Sequence, residues 1–229
     1  MSEAISFLDC FVAVAPRNDK ILSRAKLLRF STLQELVRNR SANKPDGRPL
    51  AVILYPKSDW NGSFAYNDYV DALIEQGYRV MYYEAESDEQ VIQFLKGATQ
   101  EQQADLIVLG GHGEQGGMQF GKDNSEKAQL DLNNGKKLAG SGVRSALKEG
   151  GTVALYGCST GKGREKEDNM VNFLRRVFPQ AAPKGIWAPI VPTGAIRLIF
   201  DENHRVIKVE YGAGDDHTYA GAPPLWSSR

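Results

Sequence analysis

Between Leu50 and Phe178 the chain alternates short apolar runs with longer stretches in which apolar residues recur every three or four positions. The runs at Leu50–Tyr55, Arg79–Tyr83, Asp105–Leu109 and Thr152–Tyr156 are too short for helices. They are rich in Val, Ile, Leu and Tyr, as parallel strands buried on both faces are. Helical spacing fills the gaps at Tyr66–Gln76, Asp88–Lys96 and Val143–Lys148, and returns at Glu167–Phe178. Strand and helix in alternation predict an α/β fold, a doubly wound and mostly parallel sheet with helices on both faces. After Trp187 the pattern changes: Ala195–Phe200 and Arg205–Tyr211 flank the polar stretch Asp201–His204, which predicts a C-terminal β-hairpin. A second small hairpin is predicted around Met118–Phe120 and Ala128–Leu132, and the tail from Gly212 reads as irregular.

The N-terminal segment, residues 1–48, has another texture. Ile21, Leu22, Ala25, Leu28, Leu33, Leu36 and Val37 recur at helical spacing among Arg and Lys, which predicts an amphipathic helical segment with a basic face. The turn formers of Ser41–Pro49 close it, leaving residues 49–229 as the main domain.

Composition narrows the function. Across 229 residues, 28 Lys and Arg balance 28 Asp and Glu, so no net field draws in nucleic acid, and none is expected as a partner. No run approaches the roughly 18 apolar residues of a membrane-spanning helix, so no transmembrane segment is expected. The run Ile5–Ala15 is broken by Asp9 and lacks a basic leader or cleavage site. The expected location is therefore the cytoplasm, or another cell reached without a cleaved signal peptide. Cys10 and Cys158 make no disulfide framework and, with His112, no metal-binding spacing; no metal is expected.

Chemistry in an open α/β sheet gathers beyond the carboxyl ends of the strands. Two runs end in candidates: Asp105–Leu109 enters Gly110-Gly-His112-Gly113, and Thr152–Tyr156 enters Gly157-Cys158-Ser159-Thr160-Gly161. Adjacent parallel strands lie about 4.8 Å apart, so their ends can face one another. A thiol beside an imidazole is a nucleophile with its base, and the flanking glycines let backbone N–H groups of Gly113 and Cys158 approach a developing oxyanion. Asp59, Trp60 and Asn61 follow the first run and are candidate substrate contacts at the same edge. Lys162, Arg164 and Lys166 stand near the presumed nucleophile, where they would lower its pKa or hold an anion.

A strand ending in His-Gly, then some 46 residues later a strand ending in Cys-x-x-Gly, resembles the caspase-like cysteine peptidases. These include caspases, legumain, separase, gingipain and the self-processing peptidase domains of bacterial toxins. LGGHG, GGTVALYGCSTGKG and the APIVPTG stretch at Ala188–Gly194 look most like the bacterial members. The resemblance, over Leu50–Tyr211, implies a cysteine endopeptidase acting on a protein or peptide, with His112 as base and Cys158 as nucleophile. It implies no cofactor, though an anionic activator such as an inositol phosphate occurs in some toxin domains. The caspase Gln-Ala-Cys-Arg-Gly is absent, and Gly157 stands where Ala is usual.

Two other motifs overlap this stretch. Cys158-x5-Arg164 matches the phosphate-cradling loop of cysteine-dependent phosphatases, with Asp123 or Asp131 as candidate acids. Glu165 follows the Arg, where its charge would repel phosphate. Gly157-x-Ser159-x-Gly161 matches the serine-hydrolase elbow, for which His204 or His217 and Asp215 or Asp216 are available. A non-catalytic scaffold that keeps the fold is the remaining alternative.

Overall fold

A computed structural model describes residues 45–58, 64, 69–121, 128–133, 135–212 and 217–221, together with the backbone of Leu28–Phe30. Its centre is β2 (Leu50–Pro56), every residue of which is buried. Along β2 the side chains alternate between two cores: Leu50, Val52 and Leu54 enter one, Ala51, Ile53 and Tyr55 the other. That two-residue period is why an uninterrupted apolar run folds here as a strand covered on both sides. β3 (Arg79–Ala85) and β4 (Ala104–Gly110) flank it in parallel, and β8 (Leu147–Tyr156) lies parallel beyond β4.

β9 (Ile186–Pro189) follows β8 in parallel, and β12 (Thr218–Ala220) closes that side antiparallel to β9. On the far side β1 (Leu28–Phe30) pairs in parallel with β3. The seven-stranded order is β1-β3-β2-β4-β8-β9-β12, six strands parallel and one not. The architecture is thus mixed α/β with a mostly parallel central sheet.

One face carries α1 (Tyr69–Glu75) and the antiparallel hairpin β10 (Ile196–Phe200) and β11 (Val206–Tyr211). The other carries α2 (Asp88–Ala98), α3 (Gly135–Gly140) and α4 (Met170–Val177). Local chemistry sets their starts. The Ser87 hydroxyl accepts the Gln90 N–H at 3.3 Å at the head of α2, and the Asn169 side chain accepts the Asn172 N–H at 2.9 Å at the head of α4. β5 (His112–Glu114), β6 (Gly117–Gln119) and β7 (Gln129–Asp131) form a small antiparallel sheet at the carboxyl end of β4.

Three expectations need correction. Leu28–Phe30 is strand rather than part of an N-terminal helix, because hydrogen bonding to the edge of β3 outweighs the helical spacing; the rest of the segment to residue 44 lies outside the described residues. Val143–Lys148 is a single tight turn over Val143–Ala146 that runs directly into β8, since four residues between Gly142 and the strand leave no room for a helix. The tail is not all irregular: Thr218–Ala220 finds an edge at β9. Ile186–Pro189, for which the pattern predicts no element, is also a strand.

Candidate active site

The β4–β8 ladder brings the two glycine-rich ends together. Gly110 stands opposite Tyr156, and the Gly111 N–H continues the ladder to the Tyr156 carbonyl at 3.1 Å. His112 and Cys158 are therefore each two residues beyond a matched pair on adjoining strands. Contact is closer one residue on. A Cβ on Gly113 would lie 2.9 Å from the Gly157 carbonyl carbon and 3.0 Å from the Cys158 nitrogen, and a Cβ on Gly157 would lie 2.7 Å from the Gly111 oxygen. Only glycine at 113 and 157 lets the two backbones meet in this way.

Both candidate side chains are buried: His112 is 4% exposed and Cys158 1%. The imidazole lies edge-on to Phe64, ring centres 5.4 Å apart. The Cys158 thiol points at the Thr193 carbonyl, Sγ to O 4.0 Å. The stretch between β9 and β10 covers the sulfur. It is held to the cysteine loop by Ser159 N–H to the Val191 oxygen (3.3 Å), Gly161 N–H to the Pro189 oxygen (2.9 Å) and Tyr156 O–H to the Gly194 oxygen (3.0 Å).

The cysteine loop is rigidly built. Thr160 Oγ1 donates to the Gly157 oxygen at 2.9 Å, and Asn169, wholly buried, donates from one amide to the Lys162 and Arg164 carbonyls at 3.1 and 2.7 Å. Asn172 donates to the Arg164 and Glu167 carbonyls, both at 2.8 Å. Gln115, in the turn after β5, ties the histidine side to this loop: its backbone carbonyl accepts the Met170 N–H and its side-chain amide donates to the Asp168 carbonyl, each at 3.1 Å. Sequence reasoning passed over Asn169, Asn172 and Gln115, and it placed Phe64 only within the Asp59–Phe64 stretch at the sheet edge, as a substrate contact rather than a neighbour of the histidine; an Asn heading a helical stretch was the one further signal, and it reads only as a cap.

The phosphate-cradle motif has a different geometry from its pattern. The N–H groups of Ser159, Gly161, Lys162, Arg164 and Lys166 all donate to backbone carbonyls, so they do not converge on an anion. Lys162, Arg164 and Lys166 are exposed and interleaved with exposed Glu165, Glu167 and Asp168, a mixed rather than a basic surface. Asp131 holds the Asn133 N–H at 2.7 Å, and Asp123 lies outside the described residues.

For the elbow motif, Ser159 has φ 57°, in the left-handed region that costs a non-glycine residue about 1 kcal/mol or more. His204 cannot serve it: its ring meets Gln76 Oε1 at 2.6 Å beyond the end of α1, at the amino ends of the strands. His217 does stand at the cysteine's end of the sheet, opening β12, where its carbonyl accepts the Ile190 N–H at 2.9 Å. Asp215 and Asp216 lie outside the described residues, as do Asp59, Trp60, Asn61 and Cys10. Among the described residues no three His, Cys, Asp or Glu side chains cluster as a metal site, and no helix is long and apolar enough to cross a membrane.

A family model described as a domain of unknown function, DUF4347, matches residues 65–198, more than half of the chain. The chain belongs to the DUF4347 family. The DUF4347 span opens just after Phe64 and closes within β10, so it holds both His112 and Cys158 and the strands that present them. Among curated proteins nothing matches the chain.

Proposed function

We propose that this DUF4347 protein is a caspase-like cysteine endopeptidase whose dyad is His112 and Cys158. One observation carries the reading: the Gly113 backbone abuts the Gly157–Cys158 peptide so closely that no Cβ fits between them. That contact brings the backbone just after His112 against the Cys158 peptide, which supports pairing the imidazole with the thiol and leaves the Gly113 and Cys158 N–H groups on adjoining backbone. In the proposed reaction, His112 takes the thiol proton and the sulfur attacks the scissile carbonyl carbon, forming a C–S bond as the carbonyl pair moves onto oxygen. The Gly113 and Cys158 N–H groups receive that oxyanion. Its collapse breaks the C–N bond, and His112 gives its proton to the departing amine. Water, deprotonated by His112, then attacks the thioester and releases the carboxylic product and Cys158.

The substrate in this reading is a protein or peptide, and neither metal nor redox chemistry enters any step. An inositol phosphate or similar anion as activator, a bacterial effector or toxin-related role, and a location in the cytoplasm or in a recipient cell remain parts of the proposal that rest on resemblance alone. The phosphatase alternative loses support because the Ser159, Gly161, Lys162 and Arg164 N–H groups already donate to backbone carbonyls. The serine-hydrolase alternative has one observation in its favour, the left-handed Ser159 with His217 at the same end of the sheet.

Turnover of a mixed peptide library separates these readings. The peptidase reading expects Cys158→Ala and His112→Ala each to abolish cleavage and Ser159→Ala to retain it. Cleavage that survives Cys158→Ala and dies with Ser159→Ala transfers the activity to the serine. A wild-type protein that cleaves nothing, and whose thiol titrates as in a simple peptide, overturns the peptidase reading in favour of a scaffold.

A further inference from the structure

Phe64 lies outside the DUF4347 span, yet it is the ring against which His112 rests. It is 2% exposed, and three contacts hold it. Its ring packs edge-on to Tyr55 at 5.2 Å and to Tyr156 at 5.5 Å between centres, and its carbonyl accepts the Tyr82 hydroxyl at 3.1 Å. Tyr55 and Tyr82 belong to β2 and β3, and Tyr156 ends β8, so three strands of the sheet pin this one residue. The pocket it fills exists because residue 110 is glycine: a Cβ there would lie 2.3 Å from the Tyr55 ring and 3.3 Å from Phe64 Cδ1.

The imidazole meets Phe64 at 84°, the edge-to-face arrangement that aromatic quadrupoles favour. A base that must first face a thiol and then a leaving amine loses rate when its plane wanders, and backbone hydrogen bonds in β5 fix the Cα of His112 but not the rotation of its ring. We propose that Phe64 is a positioning residue for the peptidase dyad: it sets the plane of the His112 imidazole toward Cys158. The inference rests on the peptidase reading. The titratable groups on the elements around the imidazole are Tyr55 on β2, Tyr156 and Cys158 at the end of β8, and Glu114 on β5, which is exposed. Of these only Cys158 pairs with the imidazole in the proposed chemistry.

The test is the pH dependence of Cys158 alkylation by iodoacetamide, read alongside peptide turnover. In the wild type the inflection is expected below the value of about 8.5 for a simple thiol, because an oriented imidazolium favours the thiolate. His112→Ala is expected to move it up to that value, and Phe64→Leu to move it most of the way. In turnover, Phe64→Leu is expected to lower kcat about 10- to 100-fold with KM little changed. A Phe64→Leu profile that overlays the wild type, with His112→Ala shifted, overturns the positioning role and leaves the dyad standing. Wild-type and His112→Ala profiles that overlay each other overturn the dyad and this inference together. Should Phe64→Leu fail to fold, Tyr82→Phe keeps every ring and removes only the hydroxyl that holds the Phe64 carbonyl. It is expected to shift the inflection in the same direction by a smaller amount, and no shift overturns the proposal.

Discussion

The two ends of the parallel strands treat their polar residues in opposite ways. At the amino ends, side chains stitch loops to strands. Asp105 takes the Leu50 N–H at 3.0 Å and Lys148 at 2.9 Å, Arg79 donates to Gln102 at 2.9 Å, Gln102 in turn donates to the Arg48 carbonyl at 2.7 Å, and His204 meets Gln76. At the carboxyl ends of β4 and β8 glycines replace side chains, the backbones touch, and an imidazole and a thiol are buried among rings and carbonyls. Both ends hold a histidine. Only His112 follows a strand that pairs with the one leading to a buried thiol, and the difference comes from which residues flank it rather than from the histidine itself.

Substitutions at the two ends should separate function from stability. The largest effect expected is on catalysis: Cys158→Ala or His112→Ala should lower peptide turnover by about three orders of magnitude or more, whereas His204→Ala should leave it unchanged. Equal losses from His112→Ala and His204→Ala, measured as kcat/KM, would erase the contrast. Gly113→Ala comes next. Its Cβ must push the Gly157–Cys158 peptide aside, so turnover should drop about 100-fold, with a stability cost of about 1–3 kcal/mol by urea denaturation. Asp105→Ala is the reverse case. It removes the acceptor of one buried strand N–H and an ion pair with a half-exposed lysine, so it should cost about 1–2 kcal/mol and leave turnover intact.

The smallest effect at neutral pH concerns the phenols. Burial pushes Tyr55 and Tyr69 beneath the site well above the usual range, and pushes Tyr78 at the amino ends up to about 12. In each case the folded value exceeds the unfolded value of about 10, so the folded state holds its proton longer. Their contribution to stability is therefore complete below about pH 10 and is lost as pH rises past it. In an alkaline titration, tyrosinate absorbance should rise from Tyr78 before Tyr55 and Tyr69, which ionise only as the near-ultraviolet circular dichroism collapses. Early ionisation of all of them in a folded protein would show that the two ends are equally open.

The central sheet was legible because burial on both faces leaves a plain mark: Leu50–Tyr55 and Asp105–Leu109 are unbroken apolar runs, and each folds within a residue of the expected bounds. Short edge strands leave none. Thr218–Ala220 and Leu28–Phe30 owe their conformation to a partner strand distant in sequence, which no local pattern encodes. His112 and Cys158 stood out as glycine-wrapped polar residues at strand ends, and the strand register puts each two residues beyond the Gly110–Tyr156 pair. Asn169 gave no such signal, and Phe64 only the weak one of closing the Asp59–Phe64 stretch at the same sheet edge. An aromatic residue after a strand and an Asn before a helix are common, and their roles arise only when distant loops close on them.

The central claim is that Cys158 is a nucleophile made reactive by His112. Intact-protein mass spectrometry after treatment with a peptidyl acyloxymethyl ketone tests it most directly. The account predicts a single adduct on Cys158 that vanishes in His112→Ala at equal protein stability. An adduct rate indifferent to His112, or no adduct while aryl phosphates are turned over, would contradict it.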